Sequence, residues 1–288
     1  MALGQDGTAV EFGKLDPDGV QEAVRWADSE GWEPGLTDAD AFFAADPDGF
    51  FRADLDGELA ATMSAVRVSE TVAFLGFYIV RPELRGSGIG KALWDRTLAG
   101  LGRFVLAGDA VPAQIPNYES EGFTVAYRNA RFAGPSSGSG PDPTHGEILP
   151  ATDVSFDDLV EFDGRHCFGP RPEFLRRWIE GEGRASVVLA DEAGTVTGFA
   201  ASRMSGLGMR IGPVFSSNPE DARALVLSLS RNHEGRIAVD APLPNEAAVE
   251  MLTELGLTPE FETARIYSGG TPDLPLDQIF GITSLELG

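Results

Sequence analysis

The sequence is short of the residues that define several classes of protein. It has one cysteine, Cys167, so no intrachain disulfide framework can form. It has two lysines, Lys14 and Lys91, and nearly all of its positive charge is arginine. No uninterrupted apolar stretch approaches the ~20 residues that a membrane-spanning helix needs. The opening MALGQDGTAVEF has neither a basic start nor an apolar run, so no secretory leader of the usual kind is expected. His145, His166 and His233 are scattered and H-E-x-x-H is absent, so no metal is expected. These shortages describe a soluble, cytoplasmic protein.

What the sequence has in excess is acid. Asp and Glu number 45 against 22 Lys and Arg, a formal net charge of −23 over 288 residues. A field of that sign repels phosphate backbones and anionic lipid, so neither nucleic acid nor membrane is an expected partner. Few lysines among many acids suggests a halophilic protein, since molar salt contracts electrostatic screening to about 3 Å. Hydrophobic residues make up 42%, enough for a sizeable core, and the length suits two domains at ~150 residues each.

The one compositional break is GPSSGSGPDP, from Gly134 to Pro143. Glycine, serine and proline at this density predict an exposed linker at 135–143 between domains 1–134 and 144–288. The halves echo each other. Gly122-Phe123 recurs as Gly256-Leu257 and Arg131 as Arg265, both at an offset of 134, and Val80 falls on Val214. A duplicated fold is the simplest reading. Periodicity and turn signals predict helices over 17–29, 38–45, 88–101 and 117–121 in the first half, with strands over 50–55, 59–68, 72–80, 104–107 and 124–131. The second half repeats the order, with helices over 156–163, 172–180, 219–232 and 246–255. Its strands run over 185–191, 196–204, 209–214, 237–240 and 259–267. The class is mixed α/β, each half a mostly antiparallel sheet flanked by helices.

The most informative stretch is FLGFYIVRPELRGSGIGKALWDRTL, residues 74–98. A strand ends at Val80, Pro82 stops its ladder, and Arg85-Gly86-Ser87-Gly88-Ile89-Gly90 opens an amphipathic helix. Glycines let successive N–H groups converge on one point, the helix end is positive, and Arg85 and Lys91 add full charges. Together these make an anion site. A Walker A loop is excluded, because Gly86 to Gly90 is one residue short and Ala92 stands where the hydroxyl should be. A dinucleotide fingerprint needs G-x-G-x-x-G, whereas this is G-x-G-x-G.

This loop resembles the R/Q-x-x-G-x-G/A element of the GNAT superfamily of N-acetyltransferases, which wraps the pyrophosphate of acetyl-CoA. The resemblance extends to Asn117-Tyr118-Glu119-Ser120-Glu121-Gly122-Phe123, similar to the family's Y-E-x-x-G-F segment. EGWEPG (Glu30–Gly35) and the DPDGFF run resemble a prokaryotic subgroup with tandem lobes. It implies acetyl-CoA as cofactor, with Ile79 and Val80 along the pantetheine arm. Arg85 through Lys91 would hold the diphosphate, and Asn117 and Tyr118 would stand beside the thioester. In many members the tyrosine reprotonates the CoA thiolate, and its ordinary pKa of about 10, above that of the thiol, suits that role. The second half departs from the pattern: the loop becomes Pro219-Glu220-Asp221-Ala222-Arg223-Ala224, without glycine and with two acids, and Tyr118 maps onto Leu252. The IGP motif at Ile211–Pro213 and the closing FGITSLELG resemble the atypical second lobe of such proteins, whose expected job is to wall the acceptor site.

Direct attack by an amine on a thioester requires no enzyme nucleophile, so Cys167 is expected to be inert. The general base is less legible. Strand 74–80 carries no carboxylate. The candidates are Glu30, Glu33, Asp109 and Asp240. Glu33 ranks first because its Trp-Gly-Pro loop could hold an acid against apolar surface and raise its pKa. His166 could face the acceptor, although a structural histidine is the simpler expectation, and Trp26, Trp32 and Trp178 read as core or cleft lining. The reading is an acetyl-CoA-dependent N-acetyltransferase of a small cationic amine; the alternative is a non-catalytic acyl-CoA-binding module. The acid excess generates a first test: circular dichroism should show helicity falling when molar salt is replaced by dilute buffer. Full helicity without salt would remove the halophilic reading.

Overall fold

The computed structural model of the chain describes residues 9–136, 138, 143 and 145–288. The first half contains β1 (Val10–Lys14), α1 (Pro17–Ser29), α2 (Asp38–Ala45), β2 (Phe50–Leu55), β3 (Glu58–Arg67), β4 (Val72–Val80), α3 (Ile89–Leu98), β5 (Val105–Ala110), α4 (Ile115–Ser120) and β6 (Thr124–Pro135). The second contains β7 (Glu147–Pro150), α5 (Phe156–His166), α6 (Pro172–Glu180), β8 (Arg184–Ala190), β9 (Val196–Met204), β10 (Met209–Ser216), α7 (Pro219–Ser230), β11 (Arg236–Pro242), α8 (Glu246–Glu254), β12 (Thr258–Ser268) and β13 (Ile279–Gly281). Local chemistry sets the helix starts. At α1, Asp16 accepts the Gly19 N–H at 2.8 Å and Pro17 fills the first turn. Val20, Ala23, Val24 and Ala27 then form its buried stripe. Sequence patterning did not anticipate the short strands β1, β7 and β13. No helix among the described residues is long and apolar enough to cross a membrane.

The strands join in one sheet, in the order β1-β2-β3-β4-β5-β12-β6-β11-β10-β9-β8-β7, with β13 added to β10. Only β4 with β5 and β10 with β11 are parallel among these pairs. The order is symmetric about the β12–β6 pair, as a duplicated unit requires. The halves, however, exchange their closing strands. β6 leaves the first half to pair over Asn129–Pro135 with β11, and β12 returns to pair with β5. This corrects the expected linker: Gly134 and Pro135 are ladder residues opposite Ile237 and Arg236. An exchanged strand needs that extra length to cross onto its partner. The rest of the expected linker at 137 and 139–142, with 144 beyond it, lies outside the described residues.

Two buried ion pairs lock the exchange. Arg131 on β6 sits opposite Asp240 on β11, Nε to Oδ1 2.8 Å; Arg265 on β12 sits opposite Asp109 on β5, with contacts of 2.9 and 2.8 Å. The repeated arginines are therefore reciprocal clasps. Helices from both halves share one face of the sheet, where Val20, Phe42, Leu159, Phe174 and Trp178 form a common core. Neighbouring strand residues point to opposite faces. Thus Val66 joins that core, while Ala65 packs in a cluster with Leu93 and Trp94 of α3.

β4 and β5 pair only from Val72–Leu75 to Val105–Gly108 and then part. A bulge accompanies the parting: Thr62 pairs with Ile79 and Ser64 with Gly76, and Phe77 takes a φ of 47°. β10 and β11 part in the same way after Ile211 and Val239, but there β13 enters the gap. It pairs with β10 at Val214 and Phe215, and the Ile282 N–H donates to the Asp240 carbonyl at 2.8 Å. Residues 282–288 then run on to the first half, where the Glu286 carbonyl passes so close to Gly76 that a Cβ there would sit 2.5 Å from it.

A shared sheet with exchanged strands should unfold in one calorimetric transition, and separately expressed halves should fold only when combined. Removing Arg265 leaves the buried Asp109 carboxylate without a cation partner, so Arg265→Met should destabilise by about 3–5 kcal/mol in urea titration. Burial alone would raise the pKa of Asp240, but Arg131 and Arg210 hold it below its usual range. The same balance of burial against Arg203 and Arg184 lowers Asp38. Depressed folded-state values give stability that is complete above pH ~4 and is lost as pH falls below that. The urea midpoint should therefore drop on acidification below pH 4, and less steeply in Asp240→Asn.

Candidate active site

The gap between β4 and β5 opens into a cavity of about 650 Å³. One wall is the end of β4 with Ile79 and Val80, and its floor is the start of α3 with Arg85, Gly86, Gly88, Gly90 and Lys91. Asn117 and Tyr118 of α4 line the opposite side. Nine of the expected donor-site residues are thus brought together. Ser87 and Ile89 belong to the loop, but their side chains do not line the cavity. The Ser87 hydroxyl donates back to the Leu84 carbonyl at 2.6 Å, and Ile89 is buried in the core.

The helix end is built to receive an anion. Gly88 occupies the N-cap position with a φ of 89°, a left-handed conformation in which a side chain would be strained. Gly88 offers no side-chain cap, the Ile89 N–H has only a long 3.5 Å bond to the Ser87 hydroxyl, and the first turn carries no acid, so the helix end lies at the cavity rim without a capping carboxylate among the described residues. Arg85 is held by its Nε–H bond to the Val80 carbonyl at 3.1 Å and by Glu30; Lys91 pairs with Asp95 and Glu121. The equivalent end of α7 is already satisfied. Asn218 accepts the Asp221 N–H at 2.9 Å, and the Asp221 carboxylate sits there with the Asn218 amide and His145.

Tyr118 packs edge-on against Trp94 and Phe123, with ring centroids 5.6 and 5.7 Å away. Burial, with a contribution from Tyr78, raises its pKa well above the ordinary phenol value, so it remains protonated across the neutral range.

Glu33 is not brought to this cavity, which corrects its first rank as base. Its loop packs instead against the second half, where Ser205 donates to it at 2.6 Å, Arg236 at 2.7 and 3.1 Å and Arg131 at 3.3 Å. Burial raises its pKa, but Arg236, Ser205, Arg210 and Arg131 outweigh that and lower it. The expected shift is reversed because cations distant in sequence surround it. The other candidates are also engaged: Glu30 with Arg85, Asp109 with Arg265, and Asp240 with Arg131 and Arg210. His166 is structural, with Nδ1 2.8 Å from the Phe162 carbonyl and its ring stacked on Phe215 at 4.8 Å. Burial pushes the Cys167 thiol up to about 12, which leaves it inert. Trp178 is core and donates to the Gly212 carbonyl at 3.1 Å, Trp26 packs against the same core, and Trp32 lines the cavity.

The second half completes the cavity. Phe261, Thr263 and Ile266 reach it from the exchanged β12, and Leu285 and Glu286 from the segment after β13. Glu286 was not singled out from sequence. Its only local sign is an acid between Leu285 and Leu287 in FGITSLELG, one of 45 acids in the chain. It is 4% exposed and, among the described residues, has no ion pair or side-chain hydrogen bond. Burial pushes its pKa up to about 7; Asp38 adds to the rise, and Arg210, Arg203 and Arg131 only partly offset it.

The chain matches the model of the acetyltransferase (GNAT) family over residues 18–123 and that of an acetyltransferase (GNAT) domain over residues 159–281. It is 31% identical over 265 residues to a holothin acyltransferase from Pseudoalteromonas sp. (strain SANK 73390), covering 91% of this chain and 89% of that protein. Among solved structures, a putative acetyltransferase from Pyrococcus horikoshii superposes with a TM-score of 0.80 at 18% identity, over 97% of this chain and 96% of the other. A tandem GNAT protein from the clavulanic acid biosynthesis pathway superposes with a TM-score of 0.63 at 15% identity, over 92% and 100% of the two chains. With a glycine-opened helix end facing a split between parallel strands, and a family match in each half, the chain belongs to the GNAT acetyltransferase family as a tandem-domain acyltransferase.

Proposed function

We propose that the chain is an acetyl-CoA-dependent N-acetyltransferase acting on a small, cationic amine. The reading is carried by the cleft between β4 and β5 that ends on the uncapped, glycine-lined start of α3. Its dimensions and donors fit an extended thioester with a diphosphate: the N–H groups around Gly86 to Gly90 would hold the diphosphate, with Arg85 and Lys91 supplying charge. Ser87 and Ile89 would contribute through their backbone alone. The exposed backbone of Ile79 and Val80 beyond the bulge would align the pantetheine arm, with Asn117 at the cleft edge. Acetyl-CoA supplies the activated acetyl group. Tyr118 would donate its proton to the sulfur as the thiolate departs, and burial keeps that proton in place until then. Cytoplasmic residence is part of the same reading, because CoA thioesters are intracellular donors.

The second half would not bind a donor. Its equivalent helix end is capped by its own side chains and its strand gap is filled by β13. Its role is to wall the acceptor pocket through β12 and residues 282–288. The holothin acyltransferase and the clavulanic acid pathway protein support a small-molecule acceptor. The net charge of −23 favours a cationic one.

The test is thiol release from acetyl-CoA across a panel of amines in high salt. Tyr118→Phe should lower kcat about 100-fold, within the usual range for a lost proton donor, and leave the acetyl-CoA Kd within twofold. An unchanged rate would remove Tyr118 from the mechanism, and calorimetry showing no acetyl-CoA binding by the unmodified protein would remove the reading itself.

A further inference from the structure

The geometry points to Glu286 as the general base and, with Thr263, as the recognition site for an acceptor bearing one primary amine on an apolar body. This inference rests on the transferase reading above. Both residues line the inner cavity and both come from the second half. Of the cavity's carboxylates, Glu30, Glu121 and Asp109 are already matched by Arg85, Lys91 and Arg265. Glu286 alone among the described lining residues offers a carboxylate without a cation partner. Thr263 is 2% exposed, and its hydroxyl has no hydrogen-bond partner. A buried hydroxyl left unsatisfied is costly, so a polar atom of the acceptor placed against it would relieve that cost. Around these two groups the wall is apolar, with Trp32, Phe77, Phe261, Ile266 and Leu285. One free carboxylate and five large apolar side chains suit one ammonium on an apolar body. A polyamine or aminoglycoside would bring several charges that the wall cannot match.

The chemistry balances without further reagents. The amine enters as ammonium and loses one proton to solvent through the Glu286 carboxylate, which leaves its lone pair free. That pair forms the N–C bond at the thioester carbonyl, and the C–S bond breaks with its electrons on sulfur. Glu286 takes the second proton from the nitrogen and Tyr118 gives its proton to sulfur, yielding amide and free thiol. Proton exchange through water then returns both side chains to their starting forms. The charged groups acting on Glu286 are Arg210 of β10, Arg203 of β9, Arg131 of β6 and Asp38 of α2. Their opposed signs and its burial hold it near neutrality, where a base both accepts and releases a proton.

The test uses the full chain in high salt, with 2-phenylethylamine and spermidine as probes. Glu286→Gln should keep the acetyl-CoA Kd within twofold, reduce kcat/KM for 2-phenylethylamine at least 100-fold and abolish an acid limb with a midpoint near pH 7. Glu286→Asp should retain the limb, which controls for a misfolded glutamine variant. Carboxyl-carbon NMR of the free protein should show one glutamate titrating near pH 7 that is missing in Glu286→Gln. Thr263→Val should raise KM about tenfold with kcat little changed. A Glu286→Gln rate within threefold of the unmodified enzyme, or no such titration, would overturn the base. Faster turnover of spermidine, or no turnover of 2-phenylethylamine by a protein that binds acetyl-CoA, would overturn the acceptor class. Absence of acetyl-CoA binding would instead sink the transferase reading on which this inference stands.

Discussion

The exchange of β6 and β12, clasped by the Arg131–Asp240 and Arg265–Asp109 pairs, is the constraint from which the rest of the molecule follows. Each pair is a planar fork on a carboxylate across neighbouring strands, and each is buried. Partners this deep are weak contributors to net stability and strong enforcers of register, because any slip strands a charge. Register matters here for function. β12 brings Phe261, Thr263 and Ile266 to the first half's cavity only because it lies beside β5. A domain that closed its own sheet would have no surface from the other half at that place. The exchange therefore makes the cleft of the first half and the wall supplied by the second one object.

The same architecture appears twice with opposite outcomes. In each half two parallel strands pair for a few residues and then diverge. In the first half the divergence is left open and meets a helix end that has no acid in its first turn. In the second, β13 occupies the divergence and Asn218 and Asp221 occupy the helix end. The strand that closes one cleft is continuous with the segment that furnishes the other, since residues 282–288 carry Leu285 and Glu286 to the cavity. One continuous segment thus closes the strand gap of the second half and completes the cavity of the first.

What could be read from the sequence was local. R-G-x-G-x-G after a strand and a proline requires only short-range geometry, and its residues line the cavity apart from the side chains of Ser87 and Ile89. The helix α1 follows from its Asp16 cap and its apolar stripe, and both α1 and α2 keep the expected bounds, 17–29 and 38–45. Strand exchange is not local. An alternating strand looks the same whether it pairs with its own half or the other, and the arginine echo at an offset of 134 was the only visible trace. Glu33 shows the same limit. Its neighbours Trp32 and Pro34 suggest an apolar setting, but Arg131 and Arg236, distant by 98 and 203 positions, decide its charge. Glu286 was hidden for the complementary reason: its environment is made by what stays away from it, and no sequence pattern records that.

The choice of arginine over lysine follows from this interior. The buried cations Arg131, Arg171, Arg184, Arg203, Arg210 and Arg265 each hold a carboxylate, several of them through two nitrogens or across two elements. A guanidinium can do this because it stays charged when desolvated and presents a rigid fork, whereas a buried ammonium readily loses its proton. The two lysines, Lys14 and Lys91, are both about half exposed. Part of the chain's positive charge is therefore spent inside, on the buried carboxylates of Asp38, Asp109, Asp163 and Asp240. The excess of 45 acids over 22 bases is then expressed at the surface. The field at the surface is consequently close to what the total composition indicates, while the cavity between β4 and β5 is walled in large part by aromatic and aliphatic groups.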